Sequence, residues 1–249
     1  MSDEHAVYGR RPVLELLTHR KSIIKRIILS RNLSHDPKLS QALSEANIPT
    51  ERLEPHRLDE LSGGGVHQGV IAIVRGNTGM ELHALLDLSL SESGKGLLVT
   101  LDQVTDPQNI GAVLRLCEAV GVDGLILPER RTSPITPAVR KVSVGASELV
   151  PTSIVKNLDR TLRECKKRGF WIFGADATPS ASSLFATDFP RPLCIVLGAE
   201  GDGLRRLTVE QCDALVRIPM EGVLASLNVS QAAAVILYEI LRQREKGRK

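Results

Sequence analysis

From Gly96 onward the chain alternates between two patterns. Five short runs, Leu97–Leu101, Gly124–Leu127, Phe170–Gly174, Leu193–Leu197 and Leu215–Ile218, are apolar nearly throughout. Between and after them lie segments with helical period, at 107–120, 157–168, roughly 203–211 and 229–243. A strand without a polar face has to be covered on both sides, and intervening helices supply the crossovers that parallel neighbours require. The pattern therefore predicts an α/β domain with a parallel sheet between two layers of helix.

Residues 1–76 read as a smaller α/β unit. Arg11–Leu17 has a short helical pattern, Lys25–Leu29 and Val70–Val74 read as strands, and Asp36-Pro37 is suited to start a helix, with Asp as cap and Pro in the first turn. Five of the six histidines lie here, with 11 Lys and Arg against 9 Asp and Glu. The basic residues are bunched at Arg10, Arg11, Arg20, Lys21, Lys25, Arg26 and Arg31, which is either a solvated face or a polyanion footprint. Residues 77–95 read as a linker holding one short helix, and 96–249 as the second domain.

Composition narrows the class. A hydrophobic fraction of 42% and a net charge of +3 belong to an ordinary soluble globular protein, and a pI of about 8.7 permits nucleic-acid binding without arguing for it. Cys117, Cys165, Cys194 and Cys212 show no CxxC spacing, which points to structural thiols rather than a metal site. The amino terminus lacks a secretory pattern and no apolar run is long enough to span a bilayer, so the expectation is a cytoplasmic protein.

The chemistry is expected at three strand-to-helix junctions. In the first, Asp106 and Pro107 open a helix whose buried stripe is Ile110, Val113, Leu114, Cys117 and Val120, with Gly121 as a left-handed stop. Asn109 falls in its first turn. Arg115 lies off the stripe, either as a solvated residue or as one reaching back to the strand ends. The second junction, Gly198-Ala-Glu-Gly-Asp-Gly203, has the wrong glycine spacing for a dinucleotide fingerprint and no phosphate-gripping Lys. Its Glu200 is either an exposed turn residue or an acceptor aimed into a pocket. In the third, Ser226 and Asn228 either cap the last helix or face the same pocket.

Together these stretches resemble a family. Asn109 with Arg115, Leu197-Gly-Ala-Glu-Gly201, and Ile218-Pro-Met with Ser226-Leu-Asn-Val-Ser230 look like the three signature motifs of SpoU-class RNA ribose methyltransferases, in order and at family-like spacing over residues 97–243. The resemblance implies a sheet carrying a trefoil knot, which periodicity would never suggest because true knots are rare. Tyr8-Gly9 and His67-Gln68-Gly69-Val70 are similar to the ribosomal-protein-L30-like substrate domain of that family. The subgroup most resembled acts on a guanosine 2′-hydroxyl of large-subunit ribosomal RNA, although Gln103 and Gln108 stand where that subgroup leads one to expect Gly and His.

What the resemblance implies is S-adenosylmethionine as methyl donor, no metal, RNA as substrate and a homodimer paired through the C-terminal domain. It assigns cofactor contacts to Leu197, Gly198, Ile218, Met220 and Leu227, and the reacting centre to Arg115, Asn109, Glu200, Ser226 and Asn228. A guanidinium is a poor base, so Arg115 is read as gripping the target phosphate and polarising the hydroxyl. The terminal helix, with Ala232, Ala233 and Ala234 in a wide apolar stripe, independently suggests close approach to a second surface. Physical reading leaves ribosomal and transfer RNA both open. Two other classes compete: a nucleotide-dependent oxidoreductase, disfavoured by the missing glycine fingerprint, and an RNA-binding module without chemistry, disfavoured by the intact polar set.

Overall fold

The computed structural model describes residues 4–75, 79–91, 95–189, 192–201, 203–223 and 226–246. Residue 76, residues 77–78 and 92–94 of the expected linker, and Asp202, Leu224 and Ala225 of the two loops lie outside the described residues. The chain forms two compact units, residues 1–78 with 144–149, and residues 79–143 with 150–249.

The first unit contains β1 (Glu4–Tyr8), α1 (Arg10–His19), β2 (Ile24–Ser30), α2 (Pro37–Ala46), β3 (Thr50–Leu53), α3 (Pro55–Ser62) and β4 (Val70–Arg75). Its sheet has the order β1-β4-β2-β3, with β4 antiparallel to both neighbours and β2 parallel to β3. Val70, Ala72 and Val74 share a buried cluster with Val13, Leu16 and Leu17 of α1, while Ile71 and Ile73 cluster with Ile28 and Leu58. Successive β4 side chains thus enter opposite cores, which is why this strand has no polar face.

Two local devices fix the ends of helices. Asp36 caps α2, its Oδ1 accepting the Leu39 N–H at 3.1 Å. The His67-Gln68-Gly69 motif holds the start of α1: Gln68 Oε1 accepts the Arg10 N–H at 2.9 Å. Gly69 has a φ of +81° and a β-carbon there would lie 2.7 Å from Leu33 Cδ1, so only glycine fits.

The segment Val144–Leu149, with the single-turn helix α7 (Ala146–Leu149), packs in this first unit rather than in the second, where the sequence pattern placed it. Local contacts explain the difference. His5 Nε2 lies 2.8 Å from the buried Glu148 carboxylate, and Arg20 donates to the Leu149 carbonyl at 2.8 Å. The Leu149 side chain packs against the α1 cluster.

The second unit contains α4 (Leu82–Ser91), β5 (Leu97–Asp102), α5 (Pro107–Val120), β6 (Gly124–Pro128), α6 (Pro137–Ser143), β7 (Thr152–Val155) and α8 (Leu158–Lys167). It continues with β8 (Trp171–Ala175), β9 (Ser182–Ser183), β10 (Leu193–Gly198), α9 (Arg206–Gln211), β11 (Ala214–Arg217) and α10 (Val229–Lys246). The strand order is β7-β6-β5-β10-β8-β11-β9, and every ladder is parallel. All five expected strands are present. Leu98, Ile126, Ile172, Cys194 and Val196 form one buried face with Leu85 and Leu86 of α4 and Leu162 of α8. The alternate residues Val99, Ile195 and Leu197 are buried as well, so helices cover the sheet on both sides.

Helix α5 begins and ends as its sequence dictates. Asp106 Oδ1 accepts the Gln108 N–H at 2.9 Å, and Gly121 closes the helix with φ +75°. All five residues of the expected stripe are buried and Arg115 is exposed. A β-carbon on Gly111 would lie 2.6 Å from Val142, so this glycine lets α6 press directly on α5. The cysteines are free. Burial pushes the Cys117 thiol up to about 12, and a hydrogen bond with Cys165, then burial, pushes Cys194 upward, so these are protonated packing groups.

Candidate active site

At the carboxyl ends of β8, β10 and β11 lies a cavity of about 420 Å³. That is the end of an open parallel sheet where ligands bind, because strand-to-loop transitions free backbone groups there. Leu197, Gly198, Ile218, Met220 and Leu227 all line it, as do Glu200 and Ser226. Val229, Ala232 and Ile236 of α10 also border it. Two loops distant in sequence and the last helix therefore share one hollow.

The glycines of the second junction are required by shape. Gly203 N–H donates to the Ala199 carbonyl at 3.0 Å, folding the loop back on itself. A β-carbon on Gly198 would sit 2.4 Å from the Gly203 backbone, and Gly201 and Gly203 have φ values of +87° and +64°. Side chains at these places would strain or open the loop.

Beside the cavity the three junctions meet. Asn228 Nδ2 donates to Asn109 Oδ1 at 3.0 Å and to Glu200 Oε2 at 3.3 Å. The Asn228 Oδ1 accepts from the Ser230 N–H at 2.9 Å and from its hydroxyl at 2.7 Å. Asn228 therefore does both things the sequence left open: one end of its amide caps α10, and the other ties the first junction to the second. Ser226 is exposed on the cavity wall. Arg115 is not brought into this cluster. It is exposed, does not border the cavity, and has no hydrogen bond or ion pair among the described residues.

Two acidic residues were missed by motif reading. Asp102, the last residue of β5, pairs in register with Gly198 and its side chain is fully buried. It accepts from the Arg205 N–H at 3.1 Å, the Arg205 Nε at 2.6 Å and the Thr208 hydroxyl at 2.7 Å, pinning the chain that leaves the glycine loop. Asp176, one residue beyond β8, lines the cavity itself. The signal was positional: each is a polar residue at or just past the carboxyl end of a buried parallel strand. Among the described residues no group of three or more His, Cys, Asp and Glu is placed to hold a metal.

The cavity is largely apolar and carries negative charge. Aliphatic walls, exposed loop backbone and two carboxylates line it, with no Lys, Arg or His among its lining residues. Its volume lies within the range of small-molecule sites, about 300–1,000 Å³. This is the class of α/β enzymes that hold a nucleotide-like cofactor on backbone loops, with a polar cluster alongside.

The chain belongs to the SpoU rRNA Methylase family, which matches residues 96–238, while residues 6–79 match the RNA 2'-O ribose methyltransferase substrate binding family. It is 42% identical to the 23S rRNA (guanosine-2'-O-)-methyltransferase RlmB of Pseudomonas aeruginosa over 248 residues, 98% of each chain. It is 40% identical to the protein of the same name from Bordetella pertussis, over 98% of this chain and 100% of that one. Among solved structures, the SpoU methyltransferase AviRb from Streptomyces viridochromogenes in complex with AdoMet superposes with a TM-score of 0.78 at 26% identity, covering 98% of this chain and 92% of that one.

Proposed function

We propose that the protein transfers a methyl group from S-adenosylmethionine to a ribose 2′-hydroxyl of structured RNA, namely a guanosine of large-subunit ribosomal RNA, in the cytoplasm. The observation that carries this reading is the convergence of Asn109, Glu200 and Asn228 from three separate junctions onto one hydrogen-bonded cluster adjoining the cavity. The whole-chain likeness to enzymes named for that reaction supports it.

When bound, the donor supplies an electrophilic methyl group on a sulfonium, so the protein's task is positioning rather than activation of a leaving group. Leu197, Ile218 and Leu227 give apolar walls for the flat part of the ligand, while Gly198 and Met220 contribute the adjoining loop and rim. The Asn109–Asn228–Glu200 cluster and Ser226 offer donors and acceptors to the target ribose. Arg115, a permanent cation with a planar fork, grips the neighbouring phosphate and polarises the hydroxyl. Among the described residues it has no competing partner to leave.

The protein acts as a homodimer in this reading. Most of the α10 stripe, including Ala233, Ile236, Leu237 and Ile240, is buried within its own unit, so that stripe is not the second surface. Phe185 and Tyr238, exposed by 59% and 51%, are among the exposed large apolar residues of this unit, and in this reading they form the pairing surface. Gln243 of α10 bonds to the backbone of Thr187 and Phe189, which keeps the segment carrying Phe185 against α10. Sedimentation near twice the 27.1 kDa chain mass is expected, and a species near 27.1 kDa at micromolar concentration refutes the dimer.

Mapping 2′-O-methyl groups in total RNA from a deletion strain tests the function. Loss of one guanosine methylation in large-subunit ribosomal RNA is expected. An unchanged ribosomal pattern overturns the assignment, and loss confined to transfer RNA redirects it.

A further inference from the structure

The first cavity-lining acid has no role in the reaction as derived so far. The Asp176 N–H donates to the Val216 carbonyl at 3.0 Å, which fixes the backbone at the mouth of β8. Its Oδ1 accepts the Thr178 N–H at 2.8 Å, a local turn that fixes the side chain. The second oxygen, Oδ2, faces Gly203 across the hollow, 3.9 Å from where a β-carbon on that glycine would sit. It has no partner among the described residues. Glu200 lines the same cavity, and neither carboxylate is in an ion pair there. Among the described residues the lining thus carries a formal charge of −2 with no cation to offset it.

We propose that Asp176, supported by Glu200, is a specificity-determining residue that makes this cavity prefer the cationic methyl donor to its neutral demethylated product. The inference rests on the assignment of the cavity to S-adenosylmethionine. In methyl transfer the carbon–sulfur bond breaks with its electron pair remaining on sulfur. The methyl carbon bonds to the ribose oxygen, and the hydroxyl proton is released. The sulfonium becomes a thioether, so the ligand's net charge falls from +1 to 0. Donor and product otherwise differ by one methyl group, which is a weak handle for shape. Charge is the larger difference. Carboxylates against aliphatic walls sense it at an effective dielectric well below that of water. The same arrangement favours product release, because the attraction vanishes once the methyl group has gone.

Calorimetry on the full-length protein separates the possibilities, using S-adenosylmethionine, S-adenosylhomocysteine and sinefungin, an analogue with an ammonium-bearing carbon in place of the sulfonium. Asp176→Asn keeps the acceptor for Thr178 and removes the charge. It is expected to weaken the two cationic ligands on the order of tenfold while S-adenosylhomocysteine stays within about twofold. Glu200→Gln is expected to act in the same direction. An equal loss for all three ligands in Asp176→Asn overturns the inference, because it identifies a neutral hydrogen-bonding role. No change for any of them overturns it too. Wild-type protein that binds none of the three defeats the cofactor assignment itself, a result distinct from either.

Discussion

The surface of the first unit and the cavity of the second carry charge of opposite sign. In the first, the bunch of seven basic residues divides on inspection. Arg10 is latched to Gln68, Ser34 and Asp36, Arg20 holds the Leu149 carbonyl, and Lys25 and Arg31 pair with Glu4 and Glu54. Arg11, Lys21 and Arg26 are exposed and have no partner among the described residues. In the second unit the cavity carries two carboxylates and no cation. A net charge of +3 hides this division. Free cations suit a polyanion that must be held at its surface, and an anionic hollow suits a small cation that must be chosen from its product. Arg115 is one of several free cations in the second unit, where Arg130, Arg131, Lys141 and Lys156 are likewise exposed with no side-chain partner among the described residues, but it alone lies on the helix that carries Asn109.

Arg115 gives the test with the largest expected effect. Arg115→Ala should lower kcat/KM by at least about 100-fold, the scale for removing a group that stabilises developing charge. The thermal midpoint and donor affinity should not move, because an exposed side chain without partners contributes within about ±0.5 kcal/mol to stability. Arg115→Lys should fail to rescue, since an ammonium lacks the two-pronged geometry for phosphate oxygens. Turnover within a few-fold of wild type would show a solvated helix residue and leave the anionic cavity as the site's only charged feature under test.

A smaller effect is expected in the first unit. The triple variant Arg11→Ala, Lys21→Ala, Arg26→Ala should weaken RNA binding roughly tenfold near 0.1 M salt, and should flatten the dependence of log K on log salt by about one for each phosphate no longer neutralised. Donor binding, measured on the same preparation, should be unchanged. An unaltered salt slope would mean these three cations face water and the polyanion is held elsewhere.

What the sequence reveals follows from how much each element depends on its own residues. The five strands of the second unit are legible because burial on both faces leaves them no polar positions. Strand β7, Thr152–Val155, is not, because it is an edge strand with Thr and Ser in it and an exposed Ile154. Strand order is invisible to periodicity: β10 enters late in the chain yet lies between β5 and β8. The cavity-lining residues Leu197, Gly198, Ile218, Met220 and Leu227 are legible only through the family resemblance. Asp102 and Asp176 belong to none of the motif residues singled out, and only the sheet shows what they face. The packing of Val144–Leu149 with the first unit depends on His5 and Arg20, more than a hundred residues away.

The smallest expected effect contrasts one substitution in the two units. Gln68 and Gln103 both have left-handed backbones, with φ of +50° and +64°. For a side chain without special reason this conformation costs on the order of 1 kcal/mol, and glycine relieves it while giving back roughly half of that in unfolded-state entropy. Gln103 follows the buried Asp102 and its side chain has no hydrogen bond among the described residues, so Gln103→Gly should stabilise the protein by under about 1 kcal/mol. Gln68 has a reason: its Oε1 holds the first N–H of α1 at 2.9 Å. Gln68→Gly should therefore destabilise by about 0.5 kcal/mol, since a lost cap costs about 1 kcal/mol and the net relief of strain offsets roughly half of it. Thermal midpoints of the two variants should move in opposite directions by about 2–4 °C or less. A rise of both would show that backbone strain, rather than the capping bond, decides what each glutamine is worth, and a fall of both would show that neither backbone is strained enough to matter.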